Sequence, residues 1–192
     1  TYRYDPADGS PFDVIVANLD NTSDHAVKFR GVYQYLGYIW GWGYGTNSDP
    51  DRPEILRVSS ADDPTQYDAN WYIKVGARAE GIVAVGAVRS ALAVLKAGSW
   101  YRIDGTSRDD WGPTLVDAAI GCVSGRATWT VDGVLWWWSP TGPRCTEGAK
   151  TLDPGLELDA TGTLPADLPV PGPPSRCFAL YYPEDRHLGF YF

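Results

Sequence analysis

The stretch ATWTVDGVLWWWSPTGP, Ala127 to Pro143, decides how the rest of the chain is read. Two runs of strand-forming residues flank Asp132-Gly133. That dipeptide suits a type I′ turn, which needs φ > 0 at both central positions. With a two-residue turn, Val131 faces Val134, Thr130 faces Leu135 and Trp129 faces Trp136. One face then carries Ala127, Trp129, Val131, Val134, Trp136 and Trp138, and the other Thr128, Thr130, Leu135 and Trp137. A sheet with one wet face alternates apolar and polar residues. Here large apolar groups stand on both sides. A covered indole buries roughly 150–250 Å², so the pattern predicts a ribbon covered above and below by other sheets. Ser139 to Pro143 is expected to stop the hairpin, because proline cannot donate to a ladder and glycine permits a tight reversal.

Composition agrees with a packed β-protein. Of 192 residues, 44% are hydrophobic and 14% aromatic, with nine Trp and twelve Tyr, too apolar for a disordered chain. The 21 Gly and 15 Pro fit many short strands joined by turns. A net charge of −8 argues against nonspecific binding to nucleic acid or an anionic membrane. No apolar run reaches the length of a membrane-spanning helix. Cys122, Cys145 and Cys177 have no zinc-like spacing. They read as buried free thiols, with a Cys145–Cys177 bridge as the alternative. The chain begins without Met and stops at Phe192 inside an apolar run. This is expected of a piece whose last strand is completed by further sequence or by another chain.

Four regions are expected: an arm or strand over residues 1–26, packed sheets over 27–145, a Pro/Gly-rich insertion or linker over 146–175, and the start of a further sheet over 176–192. Within the dense part a turn is placed at Leu36-Gly37, with strands over Tyr38–Trp42, Glu54–Ser60 and Trp71–Val75. A three-stranded meander covers Ile82–Ala87, Ala91–Leu95 and Ser99–Ile103. Its Ala-rich part, Val83 to Lys96, has a helical alternative, which the glycines at 81, 86 and 98 disfavour. Residues 105–118 read as a polar connection, and a last hairpin turns at Pro183 to Arg186.

The apolar hairpins recur. Tyr35, Val85, Trp129 and Ala179 are separated by 50, 44 and 50 residues. Such a period, with several strands per unit, predicts a β-propeller-like array of about four antiparallel blades, complete or partial; a β-sandwich is the alternative. The residues expected to pack between blades are Trp129, Trp136, Trp137, Trp138, Leu95 and Trp100.

The order of segments adds a resemblance. The hairpin from Gly31 to Asn47 is followed by RVSSADDPTQYD (57–68), WYIKVG (71–76) and GIVAVGAVRSALAVLKAGSWYRIDG (81–105). IGCVSGRA (120–127) and VDGVLWWWSPTGP (131–143) complete the series. This series resembles the β-propeller proteins of tailed bacteriophage virions. The matching elements are a turn at Ser59 to Pro64, a strand entered from Lys96 and ending at Gly105, Gly121-Cys122, and the aromatic hairpin Asp132 to Ser139. The likeness covers about residues 31–143. It implies a structural tail, neck or adhesion component of the virion, with other tail proteins and copies of itself as partners. It implies no catalysis, no cofactor and no membrane insertion.

There are two histidines, His25 and His187, neither beside a nucleophile motif, and no P-loop, HExxH, GxSxG or GxGxxG. Neither catalytic, cofactor-binding nor metal-binding residues are expected. Asn47, Asp49 and Asp51, and the loop from Asp20 to Asp24, read as solvated turns rather than cation sites. Asp62-Asp63 and Asp109-Asp110 offer paired carboxylates of the kind a propeller glycosidase needs, but acids in turns commonly bond their own backbone. The Trp and Tyr content also suits stacking on sugar rings, so a carbohydrate-binding adhesion module recognising a host-surface glycan stands as the other alternative.

Overall fold

The computed structural model describes residues 29–44, 52–61, 63–64, 66–68, 71–154 and 177–191, together with the backbone of short strands at 2–3, 13–14, 17–19 and 26–27. The described residues form strands, turns and bends. The chain divides into two compact units, Thr1–Ile73 and Lys74–Phe192.

In the first unit, β1 (Tyr2–Arg3) pairs with β2 (Asp13–Val14). β3 (Ala17–Leu19) lies between β4 (Ala26–Val27) and the parallel strand β8 (Gln66–Tyr67). The principal sheet runs β5 (Gly31–Tyr35), β6 (Tyr38–Tyr44), β7 (Arg52–Val58) and then the two-residue β9 (Ile73–Lys74). The expected strand over Trp71–Val75 shrinks to β9. The turn falls at Leu36-Gly37, both at positive φ (52° and 81°), as a type I′ reversal requires. Trp40 is fully buried and donates its indole N–H to Tyr35 O at 3.1 Å. The buried Arg57 donates from one guanidinium nitrogen to the carbonyls of Asp68 (2.8 Å) and Trp71 (3.2 Å), with its head 5.4 Å from the Tyr72 ring centre.

The second unit opens with a four-stranded antiparallel meander: β10 (Ile82–Val88), β11 (Ala91–Lys96), β12 (Trp100–Asp104) and β13 (Gly112–Asp117). The Ala-rich run is therefore strand. β13 corrects the expectation of a polar connection over 105–118. It is the outer strand and its first four residues are exposed, so its composition is that of a surface. An edge strand also tolerates Pro113.

Next come β14 (Thr128–Val131), β15 (Val134–Ser139) and β16 (Gly142–Thr146). β14 and β15 pair as Val131↔Val134, Thr130↔Leu135 and Trp129↔Trp136, with Asp132 and Gly133 at φ 50° and 78°. Ser139 to Pro143 does not stop this ribbon; it reverses it into β16, and Pro143 pairs with Trp138. The buried Ser139 hydroxyl replaces ladder bonds at the turn, accepting from Thr141 N (3.2 Å) and donating to Gly142 O (2.7 Å). Residues 146–154, expected to begin the insertion, fold back instead: Leu152 bridges Cys145 through bonds of 2.8 and 3.1 Å. The rest of that insertion lies outside the described residues. A last hairpin joins β17 (Phe178–Tyr182) to β18 (His187–Tyr191).

Tyr35, Val85, Trp129 and Ala179, the recurring positions of the sequence, all lie in the first strand of an antiparallel sheet. Within the second unit those first strands succeed one another in space: β10 packs against β14 and β15, and β14 against β17. The fold is all-β, built of several open and mostly antiparallel sheets, none closed on itself among the described residues, as in a partial propeller or a sandwich.

The core of the second unit lies between β10–β13 and β14–β16. Ala84, Val88, Leu95, Trp100, Leu135 and Trp137 meet there. Gly86 is needed at this contact, since a Cβ would stand 2.5 Å from a Leu135 methyl. Of the residues expected between blades, Leu95, Trp100 and Trp137 are sealed from solvent, Trp138 is buried and Trp136 half-buried. Trp129 is a correction: it is 41% exposed. It shares a face with Trp136 and Trp138, but Phe190 packs on Trp138 (centroids 5.3 Å apart, planes at 60°), and this cover does not extend along β14 to Trp129.

Candidate functional site

Polar side chains inside the second unit act as braces. Lys96 ends β11 fully buried and donates from Nζ to Val75 O and Ala77 O, each at 2.8 Å, with the Tyr101 ring centre at 5.8 Å. Glu80 caps the following turn, accepting from Gly98 N and from the Ser99 hydroxyl (2.8 Å). A relay joins β12, β13 and the segment after β16: Trp100 Nε1 donates to Thr151 Oγ1 at 2.9 Å, and that hydroxyl donates to Asp117 Oδ2 at 2.6 Å. Asp117 Oδ1 also accepts from the amides of Ala119 and Ile120. Burial pushes the Asp117 carboxyl up, but the Thr151 hydroxyl, these two amides and the Arg144 charge outweigh it and hold it below its ordinary value. Arg144 reaches Asp153 at 2.9 Å and Thr141 Oγ1 at 2.9 Å. All these partners are protein groups, used to hold turns.

Asp110 closes its own turn, accepting from the Ser107 hydroxyl at 3.0 Å, and Asp109 beside it is exposed. Asp62, His25, the loop 20–24 and residues 47, 49 and 51 lie outside the described residues. Among the described residues, no group of three or more His, Cys, Asp or Glu is placed to hold a metal ion. Cys122, Cys145 and Cys177 are free and buried. Burial pushes the Cys122 thiol up to about 12, and its S–H donates to Ser124 O at 3.1 Å.

Among the described residues, the last hairpin presents large apolar groups in a regular array. Alternation along β17 puts Phe178, Leu180 and Tyr182 on one face. Their cross-strand partners on β18 are Tyr191, Gly189 and His187. Phe178, Leu180, Tyr182 and Tyr191 are each about 40% exposed. Gly189 lets the Tyr191 ring lie across the strand, since a Cβ there would come within 2.9 Å of it. Tyr191 stacks on Phe178 (5.2 Å between centroids, 16° between planes), and its hydroxyl meets that of Tyr182 at 3.2 Å. The opposite face carries the buried Ala179 and Phe190, which packs on Trp138, while the Ala179 N–H donates at the strand's edge to Arg126 O at 2.8 Å. The hairpin was legible in the sequence. That its outer face stays uncovered was not, because alternation assigns residues to faces without saying what lies over each.

Compared with models of protein families and with curated proteins, the chain matches none.

Proposed function

We propose that this chain is a structural protein of a tailed-phage virion, a propeller-like scaffold that packs against neighbouring tail subunits and supports assembly or host attachment. The observation that carries this reading is the succession of antiparallel sheets whose first strands recur every 44–50 residues. They are apolar on both faces and braced at their turns by buried polar groups such as Lys96 and Ser139. Sheets packed as they are in the second unit are stiff and hold the surface features of that unit at fixed positions. The likeness of residues 31–143 to virion propellers supports the location.

The test is immunogold labelling of particles purified from the strain that encodes the chain. Gold on the tail or neck supports the reading; intact particles free of label, with the protein found apart from them, overturn it.

A second reading, a carbohydrate-binding module on the same particle, draws on the exposed Tyr182 and Tyr191 hydroxyls set among aromatic rings. Sugar C–H faces stack on such rings while hydroxyls bond at their rims. Glycan-array binding lost on Tyr191→Ala would favour it.

A further inference from the structure

After β16 the chain turns back as a strap, residues 147–153. Part of what holds it lies within its own sheet. Leu152 shares main-chain bonds of 2.8 and 3.1 Å with Cys145, and Asp153 pairs with Arg144 at 2.9 Å. The Thr146 hydroxyl accepts from Gly148 N at 2.9 Å and donates to Lys150 O at 2.7 Å. The other ties cross to the β10–β13 meander. Arg89, in the turn after β10, meets Glu147 at 3.2 Å, Arg102 of β12 donates to Gly148 O at 3.2 Å, and Thr151 stands between Trp100 and Asp117.

These crossing ties differ in strength and in their response to protons. Arg89 and Glu147 are both exposed, and an ion pair in solvent contributes little. Arg102 keeps its charge at any working pH. The Thr151 bond ends on an ionised carboxylate, which makes it the strongest type of the set.

The Thr151 relay runs one way. Its hydroxyl has a single proton, and at 2.6 Å Asp117 Oδ2 takes it. The hydroxyl oxygen is thereby left to accept from the sealed Trp100 indole at 2.9 Å. Asp117 Oδ1 is occupied by the amides of Ala119 and Ile120 at 2.9 and 3.1 Å. A proton added to this carboxyl either sets an O–H against one of these donors or leaves the bond to Thr151 without charge, at about half its strength. In both cases the hold on Thr151 weakens. The charges nearby are otherwise engaged among the described residues: Arg144 of β16 with Asp153, Arg102 of β12 with Asp104, and Arg89 with Glu147, while Lys150 on the strap is exposed.

We propose that Asp117 and Thr151 form a proton-operated latch. Ionised Asp117 keeps the strap closed on the Trp100 indole, and protonated Asp117 lets it lift from the meander while the sheets stay folded. Burial alone would raise the Asp117 carboxyl, but the Thr151 hydroxyl, the two amides and Arg144 outweigh it and lower the value. The latch is therefore shut above the ordinary aspartate range and opens as pH falls through the lower folded value.

The experiment is hydrogen exchange of the full chain followed by NMR from about pH 6 to about pH 2.5. Rates are expressed as protection relative to unstructured peptide, and for the indole to free tryptophan amide, at the same pH. The Trp100 indole N–H, identified by its loss in Trp100→Phe, reports the latch. The amide of Val94, in the centre of β11, reports the meander. Asp117→Asn, Thr151→Val, Thr151→Ser and the pair Glu147→Gln with Asp153→Asn are compared, with circular dichroism to check that each is folded.

In the original chain, indole protection should fall about tenfold or more on acidification while Val94 keeps its own. Asp117→Asn should remove that step. Thr151→Val should give low indole protection at every pH, and Thr151→Ser should keep the step, as should the pair at Glu147 and Asp153. Indole protection that ignores pH in the original chain overturns the latch. So does a step that survives Asp117→Asn, one that vanishes with the Glu147 and Asp153 pair, or one that Val94 follows in parallel, since that is unfolding of the whole unit.

Discussion

Trp100 of β12 and Trp137 of β15 meet edge to face across two sheets, with centroids 6.3 Å apart, planes at 61° and both side chains sealed from solvent. Trp137 also donates its indole N–H to Gly121 O at 3.0 Å. Trp137→Ala should therefore cost roughly 3–5 kcal/mol in urea unfolding, the range for emptying a buried aromatic site. Trp129→Ala, on the exposed part of the same ribbon, should cost under about 1 kcal/mol. Equal losses would contradict the placement of the two side chains.

Lys96 has its ammonium buried among backbone carbonyls. Lys96→Met keeps the length of the side chain and removes the donor, which strands the buried Val75 carbonyl. A loss of roughly 1–3 kcal/mol is expected for that orphaned acceptor. Amide exchange should rise first in residues 75–77, which the ammonium ties to β11. No change in either measurement would contradict the brace.

Asp117 links folding to pH. Its folded carboxyl titrates below the ordinary range of an aspartate. Its stabilising contribution is therefore complete above the unfolded pKa and is lost as pH falls through the lower folded value. Unfolding curves measured from about pH 5 downward should fall more steeply for the original chain than for Asp117→Asn. Parallel curves would show that the carboxylate adds nothing beyond an amide.

Cys122 should be inert in the folded protein, because its thiol is buried and pushed up to about 12, and only thiolate attacks alkylating reagents. Burial also raises the thiols of Cys145 and Cys177. Mass spectrometry after iodoacetamide should show little labelling of the native chain at pH 7.5 and three labelled cysteines after denaturation. Rapid native labelling of Cys122 would place it at the surface.

Local chemistry carried much of the fold. Asp132-Gly133 determined a turn, the turn determined the pairs Trp129↔Trp136 and Thr130↔Leu135, and the recurrence of such hairpins located the first strand of four of the sheets. What escaped the sequence depends on neighbours far along the chain. β13 has the polar composition of a connection because it is an outer strand, and its hydrogen bonds to β12 leave no mark on residue type. Pro143 reads as a breaker, yet it sits in β16, where its partner Trp138 supplies the other half of the pair. Lys96 finds its acceptors 19 and 21 residues upstream. Trp129 follows the alternation that buries Trp138, and the cluster of Cys177, Val123 and Phe190 around Trp138 separates their fates. At the candidate surface, the aromatic alternation of β17 was visible while its lack of cover was not.

The central claim is that the tryptophan ribbon is clamped between sheets, and a double-mutant cycle of Trp100→Ala and Trp137→Ala by chemical denaturation tests it most directly. The packing predicts a coupling of about 0.5–3 kcal/mol between the two indoles, on top of large single losses. Two small losses that add to within about 0.3 kcal/mol would mean that the rings do not meet, and would contradict the account.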